Sequence, residues 1–322
     1  MEISKKNSKM WSKLGPRATY GLALLEMIER NPCVFALSAD LGNSSGLSRV
    51  REKYPEHYLN TGIAEQNLIG VAAGLAREGL IPFASSFAPF ITHRCADQIR
   101  MNMGYMHLNV KTVGLGSGIS MSILGNSHYG LDDLSFLRSI PNLVILSPCD
   151  CTELVKCVEE AAKYVGPVYI RMTGEPGMPV VYSEEFDFRI GKANILKTGE
   201  DVTIIATGSM VYTAIETANQ LSEYYINATV IDMSTIKPFD MSVFETISKK
   251  CKLIVTMEEH SVVSGLGAEV ARYVAANRDL PELMTIGLPD EYVKAGTYAY
   301  ILEEYHLDSM HIVERIVQRM KK

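Results

Sequence analysis

The chain of 322 residues is 47% hydrophobic and 21% charged, with a net charge of −6 at pH 7; that length suits two domains, each able to bury its own core. The acidic balance argues against a nucleic-acid partner, which would need a clustered positive surface, and no apolar stretch reaches membrane-spanning length. The six cysteines, Cys33, Cys95, Cys149, Cys151, Cys157 and Cys251, lack a zinc-site spacing even at Cys149-Asp150-Cys151, so they read as free thiols of a reducing cytoplasm, and the polar, basic residues 1–13 hold no signal-peptide core.

From the N-terminus onward, short β-rich runs alternate with amphipathic stretches. Residues 34–37, 80–83, 110–113, 143–146 and 168–170 read as strands, with helical patterns near 17–30, 65–78, 88–103, 131–138 and 150–165. This alternation predicts βαβ units and a mostly parallel sheet covered on both faces. Residues 172–191 break the rhythm with Gly174, Pro176, Gly177 and Pro179 and then Glu184-Glu185, which reads as a linker. Beyond it, 202–206, 228–231, 253–256 and 283–286 read as strands, and 210–225, 240–250, 265–277 and 309–320 as helices. The expected fold class is α/β, with one domain over 1–175, a linker over 176–192 and a second domain over 193–322, each a mostly parallel sheet flanked by helices.

One carboxylate stands out. Glu65, in Thr61-Gly62-Ile63-Ala64-Glu65-Gln66-Asn67, precedes the nearly unbroken apolar run Leu68, Ile69, Val71, Ala72, Ala73, Leu75 and Ala76. A helix apolar on most sides belongs in a core and would draw Glu65 inside, where burial raises a carboxyl pKa. An acid serving only the helix N-terminus has the same sequence signature. Two Gly-rich turns invite an anion-binding reading. Gly114-Leu115-Gly116-Ser117-Gly118 lacks a Walker lysine, and Ala206-Thr207-Gly208-Ser209 is equally a tight strand-to-helix turn. His128, in Gly125-Asn126-Ser127-His128-Tyr129-Gly130, is a loop histidine able to donate a proton or hydrogen-bond a substrate. Phe87, Phe90 and His93 recur every third residue, on one helical face suited to a core or to stacking on a flat heterocycle. Arg17, Ser44 and Arg171 together would make an anion clamp.

Taken together, these segments resemble the C-terminal half of the transketolase family over nearly the whole chain from Arg17. The matching segments keep one order. They are Ser38-Ala39-Asp40-Leu41, Gly62-Ile63-Ala64-Glu65-Gln66-Asn67, Ser86-Phe87 through Asp97-Gln98-Ile99-Arg100, Gly125-Asn126-Ser127-His128, Ser147-Pro148-Cys149-Asp150 and Tyr169-Ile170-Arg171. Ala206-Thr207-Gly208-Ser209 and Ile286-Gly287-Leu288-Pro289-Asp290 follow, and resemble the deoxyxylulose-phosphate synthase branch as well.

The resemblance implies a thiamine-diphosphate pyrimidine-binding domain followed by the transketolase C-terminal domain. It implies transfer of a two-carbon ketol unit from a ketose (phosphate) to an aldose (phosphate). Thiamine diphosphate would be held here by its pyrimidine end, with Asp40, Glu65, Phe87, Phe90 and His93 around it. In such enzymes the motif glutamate hydrogen-bonds the ring nitrogen N1′ and promotes proton loss at the thiazolium C2, the protein supplying position and proton control. By the same analogy Glu65 and His128 are the catalytic residues, His128 also facing substrate oxygens, and Arg17, Ser44 and Arg171 bind the sugar phosphate.

Three positions depart from the family pattern: Leu124 replaces an acid, Gly116 a histidine, and His93 stands where a tyrosine or phenylalanine is common. The family's Gly-Asp-Gly segment with its downstream Asn is missing, so Mg²⁺, which needs hard oxygen ligands, is expected mainly on a separate N-terminal subunit. An α2β2 assembly, no metal ligand in this chain and a cytoplasmic location complete the expectation. The alternatives are a split 1-deoxy-D-xylulose-5-phosphate synthase, a transketolase for a specialised sugar or sulfosugar, a 2-oxo acid dehydrogenase E1 β subunit, and a non-catalytic binding subunit.

Overall fold

The computed structural model describes residues 1–277 and 279–321. In chain order the strands are β1 (Val34–Ser38), β2 (Tyr58–Asn60), β3 (Ile81–Phe87), β4 (Lys111–Leu115), β5 (Val144–Leu146), β6 (Val168–Arg171), β7 (Asn194–Lys197), β8 (Val202–Ala206), β9 (Ala228–Asp232), β10 (Thr235–Lys237), β11 (Leu253–Ser261) and β12 (Glu282–Leu288). They form a seven-stranded sheet, β10-β5-β6-β4-β3-β1-β2, and a five-stranded sheet, β12-β11-β8-β9-β7. Pairing is parallel except at one edge of each sheet, where β10 runs antiparallel to β5 and β7 antiparallel to β9. The central strands read as continuous apolar runs because helices cover both faces; β4, β6, β8 and β9 are buried at every position. Among the described residues no helix is long and apolar enough to cross a membrane.

β10 belongs to the second half of the chain yet completes the first sheet, with Thr235 opposite Leu146 and Lys237 opposite Ile145. The Ser147 N–H donates to the Ser234 carbonyl at 2.7 Å just beyond the paired strands. Ile205, Ile231, Met233 and Ile236 therefore pack in one core with Leu37, Leu68, Ile69 and Ile145. The stretch expected as a linker is also pinned. Asp150 Oδ2 accepts the Val181 and Tyr182 N–H groups at 2.8 and 2.9 Å, and Tyr182 stacks on Phe186 with ring centroids 3.7 Å apart.

Three elements differ from the sequence reading. The basic N-terminus forms the helix Lys5–Leu14, started by the Ser4 side chain and ended at Gly15, whose φ of 84° favours glycine. A Cβ on Gly15 would meet Pro176 Cγ at 2.8 Å. The helix expected over 88–103 is broken into Ala88–Thr92, Ala96–Gln98 and a π-helical turn Ile99–Tyr105. The chain leaves helical geometry at Cys95 (φ −102°, ψ 17°), so the segment is not one continuous helix with one face. The helix expected over 240–250 is a 3₁₀ segment, Met241–Thr246.

Candidate active site

Parallel sheets gather ligand sites where loops leave the carboxyl ends of their strands, and the first sheet brings the expected residues to that edge. β2 leads to Glu65, β1 ends before Asp40, β3 ends at Phe87, and β4 ends before Gly116 and the loop carrying His128. Parallel register sets Ser38 level with Asn60 and Ser85, and Phe87 level with Leu115.

Glu65 opens the helix Glu65–Arg77 and is 3% exposed. Its Oε1 accepts the Ser86 hydroxyl at 3.2 Å, and its Oε2 accepts Arg94 Nη1 at 2.7 Å. Burial is thus as expected, and an arginine compensates the charge. The helix itself is less enclosed than its apolar run suggested. Leu68, Ile69, Ala72 and Ala73 face the core while Gln66, Asn67, Gly70, Gly74 and Arg77 are exposed, because two of the small residues are glycines with nothing packed over them.

The ring that packs on Phe87 and Phe90 is His128, at centroid distances of 5.7 and 5.3 Å and edge-on to both. Its Nδ1 pairs with the Ser127 hydroxyl at 2.9 Å. Phe87 and Phe90 also meet edge-on, at 6.1 Å. His93 leaves this row: its Nε2 lies 3.3 Å from Asp132 Oδ2, and the hydrogen bond to Asp132 pushes its imidazole up from the usual range. Asp40 is exposed with φ 58° and is held by Asn60, which accepts its N–H at 2.9 Å and donates to its Oδ1 at 3.2 Å.

Arg17 and Ser44 share one open cleft of about 520 Å³ with Asn43, Gly116, Ser120 and Glu175. Arg171 is elsewhere. Its guanidinium has no solvent exposure; Nε lies 3.0 Å from Asp133 Oδ2, and Nη2 donates to the Gly130 and Glu259 carbonyls. The expected phosphate contact from Arg171 is corrected accordingly: every donor direction it shows is directed inward. Tyr169 also donates to Asp133, at 2.7 Å.

Each Gly-rich turn packs against the other domain. A Cβ on Gly118 (φ 66°) would meet Glu259 Oε2 at 2.4 Å. That carboxylate accepts the Ile119 N–H at 3.2 Å along with the Ser209 and Tyr298 hydroxyls, and burial pushes it up. At the other turn the Ser209 N–H donates to Thr173 Oγ1 at 3.0 Å. Neither turn presents a set of free amides to an anion.

Among the described residues the one group of potential metal ligands is Cys149, Glu153 and Asp232, with ligand atoms within 4.8 Å of one another. All three are fully enclosed between the domains, and a thiol in a closed site does not suit Mg²⁺, which keeps oxygen ligands and several waters. The six cysteines are free. The site around Glu65 does fit a flat aminopyrimidine: a buried carboxylate with one oxygen held by Ser86 and the other meeting Arg94, whose guanidinium lies over the Phe90 ring.

Sequence reasoning passed over Arg94, Asp132, Asp133 and Glu259. The signal for Asp133 was available, since an arginine ending the buried strand Val-Tyr-Ile-Arg needs a buried acid. Arg94 had no such mark.

Comparison with known proteins gives a consistent picture. The family model "Transketolase, pyrimidine binding domain" matches residues 12–175, and "Transketolase, C-terminal domain" matches 191–312. A protein of Methanocaldococcus jannaschii named as a transketolase C-terminal section is 40% identical over 311 residues, 96% of this chain and 97% of that protein. A 6-deoxy-6-sulfo-D-fructose transketolase subunit of a Clostridium species is 37% identical over 92% of each chain. A solved split-gene transketolase, described as an inactive β4 tetramer, superposes with a TM-score of 0.87 at 38% identity, covering 95% of this chain and 98% of that one.

Proposed function

This chain belongs to the transketolase family, spanning its pyrimidine-binding and C-terminal domains, and from that premise we propose that it is the C-terminal subunit of a split transketolase. With a separate N-terminal subunit it transfers a two-carbon ketol unit from a ketose (phosphate) to an aldose (phosphate). The observation that carries this reading is Glu65: a carboxylate 3% exposed, fixed through one oxygen by Ser86 and joined through Arg94 to the Phe90 ring of the Phe87, Phe90 and His128 cluster.

Bound thiamine diphosphate would supply the electron sink for breaking and forming the C–C bond. The residues of this chain do the rest. Glu65 holds or releases a proton at the pyrimidine nitrogen, and Ser86 fixes which carboxylate oxygen is left to do so. Phe90, with Phe87 behind it, offers an apolar face to the ring. His128, held by Ser127 through Nδ1, turns Nε2 to substrate oxygens. Arg17 and Ser44 offer charge and hydroxyl to a substrate phosphate in their cleft. Asp40 and His93 border the cofactor, His93 through its tie to Asp132.

The N-terminal subunit supplies Mg²⁺ and diphosphate ligation, in an α2β2 assembly in the cytoplasm. The near-equal length of the relative named as a C-terminal section supports a two-chain arrangement. Ketol transfer measured on this chain alone and after adding the N-terminal subunit tests it. Activity only in the mixture is expected; robust transfer by the isolated chain would overturn the two-subunit reading.

One observation favours a specialised sugar. Ile123 and Leu124 put exposed apolar side chains, 76% and 48% exposed, on the loop before His128, where the family carries an acid. Such a rim suits a substrate lacking the hydroxyl that the acid would have bound. A panel of deoxy, sulfo and ordinary ketoses compared by kcat/KM decides between this and a pentose-phosphate substrate.

A further inference from the structure

Glu65 Oε2, the oxygen not committed to Ser86, receives Arg94 Nη1 at 2.7 Å. The same guanidinium lies over the Phe90 ring, 4.4 Å from its centroid. A flat, nitrogen-rich group that donates to Glu65 and stacks on Phe90 makes the two contacts that the proposed function, on which this step rests, assigns to an aminopyrimidine. We propose that Arg94 is a placeholder for the cofactor's pyrimidine ring: before loading it makes the ring's contacts with Glu65 and Phe90, and it withdraws when the ring binds.

The surroundings fit such a residue. A carboxylate as enclosed as Glu65 is costly without a partner, and Arg94 supplies one before loading. The Arg94 side chain is 46% exposed, which leaves it a path outward. Its backbone is anchored, because Gln66 Nε2 donates to the Arg94 carbonyl at 3.0 Å, so only the side chain has to move. Arg94 is then a positioning residue. It orients Glu65 before loading, and every contact it makes there weakens cofactor binding in proportion.

The test is equilibrium binding of thiamine diphosphate, with Mg²⁺, to the assembled two-subunit complex by calorimetry. Arg94→Gln is expected to tighten binding about five- to tenfold, the worth of one charge-assisted hydrogen bond, and to lower the melting temperature of the cofactor-free complex. Arg94→Lys, which keeps the charge but loses the planar stack, is expected to fall between the two. Unchanged or weaker binding in Arg94→Gln, with normal uptake by the unaltered complex, would overturn the placeholder alone. No uptake by the unaltered complex would overturn the proposed function and the placeholder together.

The unaltered protein gives a second reading that no folding defect can obscure. In ¹⁵N-arginine spectra of the complex, the Arg94 Nη signals are expected to be distinct in the empty site and to merge on titration with thiamine diphosphate, as the guanidinium is freed to rotate. Signals that stay distinct at saturation would overturn the proposal.

Discussion

Arg171 and Asp133 form a buried ion pair, their side chains 1% and 0% exposed, Arg171 Nε lying 3.1 and 3.0 Å from the two carboxylate oxygens. The pair ties β6 to the helix Asp133–Leu137, and through the Glu259 carbonyl it ties both to β11 of the second domain. His260 stands beside it, Nε2 3.7 Å from Asp133 Oδ1, and burial pushes this imidazole down to about 4, so it adds no charge at neutral pH.

Removing one member of such a pair leaves an uncompensated buried charge. Arg171→Met is therefore expected to destabilise the chain by about 3–5 kcal/mol, read from urea unfolding. Arg17→Ala separates the two arginines once grouped as an anion clamp. Arg17 is exposed and lines the cleft, so its loss is expected to leave stability within about 0.5 kcal/mol. It should raise KM for a phosphorylated substrate about tenfold or more, the worth of a charge-assisted contact. A destabilised Arg17→Ala or a stable Arg171→Met would show the assignment to be reversed.

Most strands were legible because buried, β-rich runs bounded by turns have few other ways to fold. What escaped were elements defined by partners far along the chain. β10 is three residues whose partners lie about ninety positions earlier, and nothing local marks it. The turn at Cys95 is likewise invisible in a segment whose apolar spacing continues through it. At the site, Glu65 was legible because an acid preceding a long apolar run has to be explained. The place of His128 against Phe87 and Phe90 was not, since it depends on how a loop folds back after β4. Arg171 was misread for the same reason: a pattern shows that an arginine ends a strand, and not whether its partner is a ligand or an aspartate 38 positions earlier.

The buried acids at the domain joint should leave a mark on the pH dependence of stability. Glu153 Oε2 accepts the Cys149 N–H at 2.7 Å, and Asp232 Oδ2 accepts the Tyr182 hydroxyl at 2.8 Å. The other oxygen of each carboxyl has no protein donor. Two enclosed carboxyls so close cannot both ionise cheaply. Burial pushes Asp232 up from 3.8 to about 7, and burial with the Asp232 charge pushes Glu153 well up. A folded-state pKa above the unfolded one means the native state binds the extra proton, so this contribution is fully present below pH 4 and is lost as pH rises through about 7. His260 acts oppositely, its lowered pKa adding stability as pH rises from about 4 to 6.5. Asp232→Asn isolates the first term. Relative to the unaltered chain, it should gain stability steadily between pH 4 and 7 in unfolding titrations. A constant difference across that range would mean that Asp232 is already ionised in the folded protein.

Lys111 offers a test confined to the first domain. It is fully buried on β4, and Nζ donates to Asn109 Oδ1, the Tyr164 carbonyl and the Gly166 carbonyl at 2.7, 2.7 and 2.6 Å. Burial pushes the ammonium down to about 7. Lys111→Met would strand three acceptors, each costing about 1–3 kcal/mol when unsatisfied. The expected result is a large drop in melting temperature with the cofactor affinity of the surviving folded complex unchanged. A near-normal melting temperature would mean that water replaces the ammonium.

Glu65→Gln tests the central residue with the smallest change of shape. The amide keeps an acceptor for the Ser86 hydroxyl but turns an NH₂ toward Arg94, replacing an ion pair at 2.7 Å with two facing donors. Arg94 is half exposed and can swing outward, so stability should fall by only about 1 kcal/mol. Turnover is a different matter, because an amide neither binds nor releases a proton near neutral pH. In the reconstituted complex, kcat is expected to fall about 10²- to 10⁴-fold, the usual reach of general acid–base catalysis, with KM for the sugars little changed. Unchanged kcat would remove Glu65 from the proton path and favour a subunit whose part in the complex is binding alone.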